Sequence, residues 1–322
     1  MLITGASVGV GLQIATLLRP TLLARDRCLV LTARPSSLAR FADAGFFDDD
    51  RVMVRPLDVT DRIAQEALLA EISQRWGGVD VLINNAGVSY RSVVEHVTEA
   101  ERLEQMDVNF RSAMALTVAC LPHMRARRSG RILAVSSVGG MMAMPTMAVY
   151  SASKFALEGA YEALYYEVRP WNIHVTLVQP GFINSDGFEK VRFTAQARTA
   201  LDDGNDPYHA HYRHMQDFVA RLMRWFGQSP RHVAKQVVRA IDRRRPPLRM
   251  AGTCDAWAFS FARRFLPRWL YHAALYRGLP HVRQWGASSA LQAPANVPQG
   301  DANGPAVDET VEARPGVGVP TR

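Results

Sequence analysis

The chain has 322 residues, 48% of them hydrophobic, enough for one core of ~250 residues with appendages. Its three cysteines, Cys28, Cys120 and Cys254, are odd in number and far apart, which argues against a disulfide scaffold or a cysteine zinc site and fits a reducing, cytoplasmic setting. The net charge of +8 is uneven: residues 221–285 hold fourteen Lys/Arg against two acids, Asp242 and Asp255. No nucleic-acid recognition motif accompanies these charges, so a nucleic-acid partner is not expected. A solvated face, or a basic surface that meets a partner or anionic lipid, is the better reading.

Met1-Leu2-Ile3-Thr4 runs directly into glycines without a basic n-region, so no signal peptide is expected. Only about three residues precede those glycines, short for a central strand; a late start and a trimmed end both remain open. Apolar runs at residues 1–4, 28–33, 52–57, 79–83, 131–136 and 174–178 predict short buried strands. Between them, residues 11–24, 61–76, 100–127 and 149–169 carry helical apolar spacing. This βαβ rhythm predicts an α/β fold, a doubly wound Rossmann-type parallel sheet with helices on both faces. The uncharged stretch 132–153 has the length of a membrane span, but Gly139, Gly140, Pro145 and several serines make it a strand followed by a loop.

The rhythm breaks over residues 185–226, rich in His, Arg and aromatics, which predicts an inserted lid. Ser229-Pro230 then opens a helix to residue 245, residues 247–251 form a last strand, and residues 255–277 read as an amphipathic helix interrupted by Pro267. The expected organisation is a dinucleotide-binding and catalytic domain over 1–252, a C-terminal helical extension over 253–285, and a disordered tail over 286–322.

Four clusters carry chemistry. Thr4-Gly5-Ala6-Ser7-Val8-Gly9-Val10-Gly11 follows the first strand and opens the first helix, where glycines let the backbone approach a pyrophosphate. Its spacing is G-x-x-x-G-x-G, not G-x-G-x-x-G. The second strand ends in Ala33-Arg34. An acid there would grip the ribose 2′-hydroxyl of NAD, whereas arginine suits the 2′-phosphate of NADP. Asp58-Val59, Asn84-Asn85-Ala86-Gly87 and Ser136-Ser137 follow the third, fourth and fifth strands, at the sheet end where ligands bind. Tyr150 and Lys154 stand at i,i+4 on one helical face. A phenol titrates near ~10, and a nearby ammonium lowers that value. Lysine is scarce (Lys154, Lys190 and Lys235 only), which makes Lys154 the more telling.

Together these motifs, over residues 1–245, make the chain resemble the short-chain dehydrogenase/reductase family, most closely its 17β-hydroxysteroid and retinol dehydrogenase branch. Ser137 through Pro145 to Gly159, and Pro247 to Gly252 followed by Asp255, carry the likeness to that branch. The resemblance implies a catalytic tetrad of Asn109, Ser137, Tyr150 and Lys154; counting thirteen back from the tyrosine selects Ser137 over Ser136. It further implies cofactor contacts at Gly5, Ser7, Gly9, Val10, Gly11, Arg34, Asp58, Val59, Asn85, Ala86, Gly87, Tyr150 and Lys154. Pro180, Gly181, Ile183 and Ser185 match the family's P-G-x-x-x-T, with serine for threonine. Val8 departs from the serine that relatives often place there, which leaves more of an NADP phosphate contact to Arg34.

The implied reaction is hydride transfer between nicotinamide and a carbonyl or alcohol carbon. Tyr150 would exchange the proton, Ser137 would hold the substrate oxygen, Lys154 would lower the tyrosine pKa and hold the ribose, and Asn109 would keep a relay water. Met141, Met142, Met144 and Met147, with Phe182, Phe188, Phe193, Tyr208, Tyr212 and Phe218, suit a large apolar substrate such as a steroid, retinoid or long-chain alcohol. His209 and His211 are too close to share a helical face, and no cysteine or carboxylate joins them and His214, so no metal site is expected. Family members often pair through the helices at 100–127 and 149–169, which implies a homodimer. Alternatives are a nucleotide-sensing regulator on the same fold, or a reductase of smaller carbonyl compounds. Aromatics alternating with arginines over residues 256–285 are also compatible with peripheral membrane contact.

Overall fold

The structure is a computed structural model that describes residues 1–184 and 192–286. Its strands are β1 (Leu2–Ile3), β2 (Leu29–Ala33), β3 (Val52–Pro56), β4 (Val81–Asn84), β5 (Tyr90–Arg91), β6 (Gly130–Val135), β7 (Ile173–Gln179), β8 (Arg192–Phe193) and β9 (Arg249–Ala251). Seven of them form one sheet in the order β3-β2-β1-β4-β6-β7-β9, parallel throughout. The two remaining, β5 and β8, pair in a small parallel ribbon that the apolar pattern did not announce. The strands predicted for the sheet are all present, their ends moved by no more than two residues.

Alternation along each strand divides the core in two. Leu2, Val30, Leu82, Ile132 and Leu177 point to one face, where Leu68, Leu116, Leu157 and Tyr161 cover them from α3 (Arg62–Trp76), α5 (Ser112–Ala126) and α6 (Ala148–Val168). Ile3, Leu31, Ile83, Leu133 and Val178 point to the other, covered by Ile14, Phe41 and Val237 from α1 (Gly9–Leu18), α2 (Ala39–Asp43) and α9 (Pro230–Asp242). Both faces are therefore layered with helices, the doubly wound arrangement expected.

Local chemistry sets the helix ends. Asp61 accepts the Ala64 N–H at the start of α3, and Gly77 in the left-handed region (φ 79°) ends it. Ser229 caps α9 through the His232 N–H, with Pro230 in its first turn. The single helix expected over 100–127 is interrupted. A capping box of Thr98 and Glu101 opens α4 (Glu99–Met106), a π-helical turn follows over Asp107–Arg111, and α5 continues from Ser112. The predicted lid region contains α7 (Ala195–Asp202) and α8 (His209–Phe226). The chain after β9 forms α10 (Cys254–Phe265) and α11 (Arg268–Gly278), parted at Pro267. Among the described residues no helix is long and apolar enough to cross a membrane. Ser185 and Phe188, like the tail from residue 287 on, lie outside the described residues.

Candidate active site

Strand order reverses between β1 and β4, and open α/β sheets bind ligands at the carboxyl ends of the strands flanking such a point. A cleft of about 500 Å³ lies there. Its floor is the glycine turn, with Gly5 at φ 62° and Gly9 at φ 58°, values that favour glycine. A Cβ on Gly5 would come within 2.9 Å of the Ala86 backbone, so the two turns meet only because glycine stands there. The Thr4 hydroxyl accepts the Asn85 and Ala86 N–H groups (3.0 and 3.1 Å), while Asn85 Nδ2 donates to the Thr4 and Gly5 carbonyls (2.9 and 3.0 Å). Thr4 and Asn85 thus lock the β1 turn to the β4 turn.

α1 opens beside this turn with no side-chain cap and no acid in its first turn. Its free N–H groups and positive dipole end fit a pyrophosphate. Gly5, Ser7, Gly9, Val10, Asn85, Ala86 and Gly87 all line the cleft. Gly11 does not: it is buried, and a Cβ there would lie 2.6 Å from Asn85 Nδ2 and 2.7 Å from the Gly5 carbonyl. Its lack of a side chain serves the packing of helix against turn rather than contact with a ligand.

At the far end of the cleft Arg34 is exposed at the tip of β2, joined by Ser37 and Arg40, which the sequence reading did not single out. The 3₁₀ turn at Pro35–Ser37 followed by α2 wraps these residues onto one rim. The available signal was a second arginine one short turn beyond the first. Asp58 and Val59 form the opposite rim. The Thr60 backbone N–H (2.9 Å) and hydroxyl (2.7 Å) hold the Asp58 carboxyl below its ordinary range, and Arg34 adds to the effect against the cost of desolvation.

The inner end gathers the four predicted catalytic residues. Helix α6 carries Tyr150 and Lys154 on one face, and Ser137 caps the 3₁₀ turn Val138–Gly140 by accepting the Gly139 N–H at 3.0 Å. Ser137 is partly open to the cleft, whereas Ser136 is buried. Lys154 is buried, 5.9 Å from the Tyr150 ring centroid, and donates to the Val135 carbonyl at 3.0 Å. Asn109, buried in the π-turn, accepts the Val88 N–H at 2.8 Å and donates to the Val88 carbonyl (2.8 Å) and Ser153 Oγ (2.9 Å). Ser153 in turn donates to the Tyr150 carbonyl at 2.7 Å. The Asn109 side chain therefore braces the β4 turn against α6.

The electrostatics also differ from expectation. Burial pushes the Tyr150 phenol up, and the adjacent Ser137 hydroxyl, not Lys154, pulls it back. Burial pulls Lys154 down to about 8, against the raising effect of Glu158 one turn further along α6. Packing that shields both groups from water is the largest cause of each shift.

A second cavity of about 220 Å³ adjoins the cleft and shares Ser89, Ser137, Tyr150 and Gly181 with it. Its wall includes Met142, Met144, Met147, Phe182 and Val219, with Arg91 as its one cation among the described residues. Phe182 and three of the predicted methionines are thus cavity-lining. Met141 instead packs beneath α10, and Phe218 packs beside Phe182 in the cluster under α8. Phe193, Tyr208 and Tyr212 belong to the α7–α8 core, where Tyr212 hydroxyl accepts the Val93 N–H at 3.1 Å and meets His96 at 3.0 Å. Aromatic content alone could not separate lid packing from substrate contact.

Pro180, Gly181 and Ile183 line the cleft after β7. The start of the C-terminal extension clamps them: Thr253 Oγ1 accepts the Gly181 N–H at 2.8 Å, and Asp255 accepts the Phe182 N–H at 3.0 Å. His209 sits 3.1 Å from the Ala200 carbonyl, His211 packs on Tyr208 and Trp285, and His214 faces His281. Burial lowers the pKa of His211 and His214. Among the described residues no group of three His, Cys, Asp or Glu is arranged to hold a metal.

A glycine turn at a sheet switch point, joined to a Ser-Tyr-Lys cluster, defines a nicotinamide-dinucleotide oxidoreductase. Comparison with known proteins agrees: residues 1–196 match the short chain dehydrogenase family, and the chain belongs to it. It is similar to human retinol dehydrogenase 8, with 36% identity over 77% of this chain and 79% of that protein. A 3-ketodihydrosphingosine reductase from Bacteroides thetaiotaomicron shares 37% identity over 62% of this chain and 72% of its own length. Among solved structures, a short-chain dehydrogenase from Streptomyces avermitilis superposes with a TM-score of 0.69 at 31% identity, over 86% of this chain and 95% of that one. The chain is thus an oxidoreductase near the retinol dehydrogenase branch of the family.

Proposed function

We propose that the protein is an NADP(H)-dependent oxidoreductase that interconverts a hydrophobic primary or secondary alcohol, steroid-, retinoid- or lipid-like, with its aldehyde or ketone. The supporting observation is the seam between the two cavities: Ser137 and Tyr150 belong to both the dinucleotide cleft and the methionine-lined cavity. A substrate carbon in the second cavity would face a nicotinamide in the first. The cofactor supplies or accepts the hydride. Tyr150 gives the proton to the carbonyl oxygen, and Ser137 donates a hydrogen bond to that oxygen as charge develops. Lys154, one turn away, offers its ammonium to the ribose side of the site, and Asn109 braces the turn beneath it.

NADP is favoured over NAD because β2 ends in Ala33 without an acid, and Arg34, Ser37 and Arg40 form a cationic, hydroxyl-bearing rim. An apolar substrate is favoured by the methionine wall and by relatives named for retinol and a ketodihydrosphingosine. On this reading residues 1–252 carry cofactor and chemistry, while the lid and extension shape the cavity. Homodimer formation through α5 and α6, and a peripheral contact with membrane, belong to the same proposal. NADPH oxidation across a panel of hydrophobic ketones and aldehydes tests it; activity confined to small polar sugars would overturn the substrate class. Tyr150→Phe should abolish that turnover, about a thousandfold or more, while NADPH binding by fluorescence persists.

A further inference from the structure

Glu158 stands one turn beyond Lys154 on α6, and the i,i+4 spacing puts both side chains on one helical face. Only 7% of the Glu158 side chain is exposed, and both of its oxygens are engaged. One accepts Gln179 Nε2 at 3.0 Å, at the end of β7, and the other accepts Arg249 Nε at 2.8 Å, at the start of β9. Arg249 also reaches Glu162, one turn further along α6, at 2.8 Å. A Cβ on Gly140 would stand 2.9 Å from Glu158 Cγ and 3.1 Å from the Lys154 carbonyl. The turn capped by Ser137 therefore lies directly against α6 where the lysine and the glutamate stand.

A buried ion pair contributes little net stability, because desolvation of both charges offsets their attraction. Its place beside a buried ammonium gives this pair another use. The other groups around Lys154 bring no negative charge: Tyr150 shares its helix face, the Val135 carbonyl accepts its proton from β6, and Gly87 and Asn109 face it from the β4 turn and the π-turn. Glu104 lines the same cleft but is engaged by Tyr90 and Arg192. Glu158 is the one anion that acts on Lys154 among the described residues, and its raising effect opposes desolvation. Behind Glu158 stand the cations Arg249 and, across a groove, Arg263 and Arg264 of α10. We propose that Glu158 is a positioning residue of the reaction: fixed by Gln179 and Arg249, its carboxylate keeps Lys154 in the ammonium form that holds the cofactor ribose. The service of that ammonium to the cofactor rests on the reaction proposed above; the coupling of the two side chains does not.

The chain has only three lysines, Lys154, Lys190 and Lys235, so NMR of the full chain with isotope-labelled lysine reads the titration of Lys154 directly. The signal missing from Lys154→Met assigns it. Without cofactor the wild-type midpoint should lie near 8. In Glu158→Gln, which keeps the shape and removes the charge, it should fall by about half a pH unit or more. Glu158→Asp, which keeps the charge, should stay closer to the wild type than to Glu158→Gln. Arg249→Gln leaves the carboxylate and removes its counter-charge, so the midpoint should rise instead, and this variant decides the matter if Glu158→Gln does not fold. A midpoint in Glu158→Gln that stays or rises, or one in Arg249→Gln that stays or falls, would overturn the coupling. In steady-state assays KM for NADPH should begin its alkaline rise at a correspondingly lower pH in Glu158→Gln, with kcat on the acid side within a few-fold of wild type. A shifted lysine with no turnover on any carbonyl would instead overturn the reaction, while turnover with an unshifted lysine would overturn the part given to Glu158.

Discussion

At the scale of single residues, the charge state of the site follows from burial. Lys154 is held near 8 where a free lysine titrates at 10.5. Between those values the unfolded chain still holds the proton that the folded protein has released, so stability attributable to this group rises with pH from about 8 to 10.5. Lys154→Met removes the buried charge. The melting temperature of the wild type, measured without cofactor, should therefore gain on that of the variant as pH rises through this window. A constant difference between the two would mean that Lys154 is solvated. Tyr150, pushed the other way, stays protonated across neutral pH and is ready to reduce a carbonyl, while oxidation, which needs the phenolate, should quicken as pH rises.

The cofactor rim makes a second prediction at this scale. Arg34 alone was legible, since the residue after a β2 strand is a known discriminator position. Arg40 needed the fold, because it reaches the rim only through the turn at Pro35–Ser37. Arg34→Ala with Arg40→Ala should raise KM for NADPH at least tenfold and leave KM for NADH within a few-fold, since each guanidinium–phosphate contact contributes about 1.5–3 kcal/mol. An equal loss with both cofactors would show that the arginines hold the backbone and not a phosphate.

Among the elements, the sheet and its main helices were legible because buried parallel strands read as apolar runs and capped helices announce their ends. The π-turn at Asp107–Arg111 was not, since its cause is tertiary: the Asn109 side chain is tied to Val88 across the cleft, and i,i+4 spacing carries no trace of that. The clamp on the β7 turn was hidden for the same reason. Thr253 and Asp255 bond the Gly181 and Phe182 N–H groups from more than seventy residues away. Gly181 lies so close that a Cβ would stand 1.7 Å from Asp255 Oδ2. Gly181→Ala must therefore separate the C-terminal extension from the turn. It should raise KM for the cofactor and lower kcat together, and Asp255→Gly in the same chain should recover part of both by removing the clash. Failure of the second change to recover anything would place the fault in the glycine backbone instead.

For the molecule as a whole, one face of the helical layer has no covering element among the described residues. Val118 is 60% exposed on α5, in a groove of about 480 Å³ whose apolar wall is Phe110, Met114, Ala115 and Ala119 and whose polar wall is Arg62, Gln65, Glu66 and Arg111. Small and apolar side chains on an outward helix face suit an isologous contact, in which the same surface of two copies meets across a two-fold axis. α5 grows out of the π-turn that holds Asn109, and α6 beside it carries Tyr150 and Lys154, so pairing here would stiffen the helices on which the candidate active site is built. Val118→Arg puts a like charge from each copy at the axis of such a pair. Sedimentation should then show a dimer for the wild type and a monomer for the variant, with a lower melting temperature and reduced kcat at unchanged cofactor specificity. A variant that sediments and turns over as the wild type does would remove α5 from the contact, and with it the proposed support of the site by a second copy.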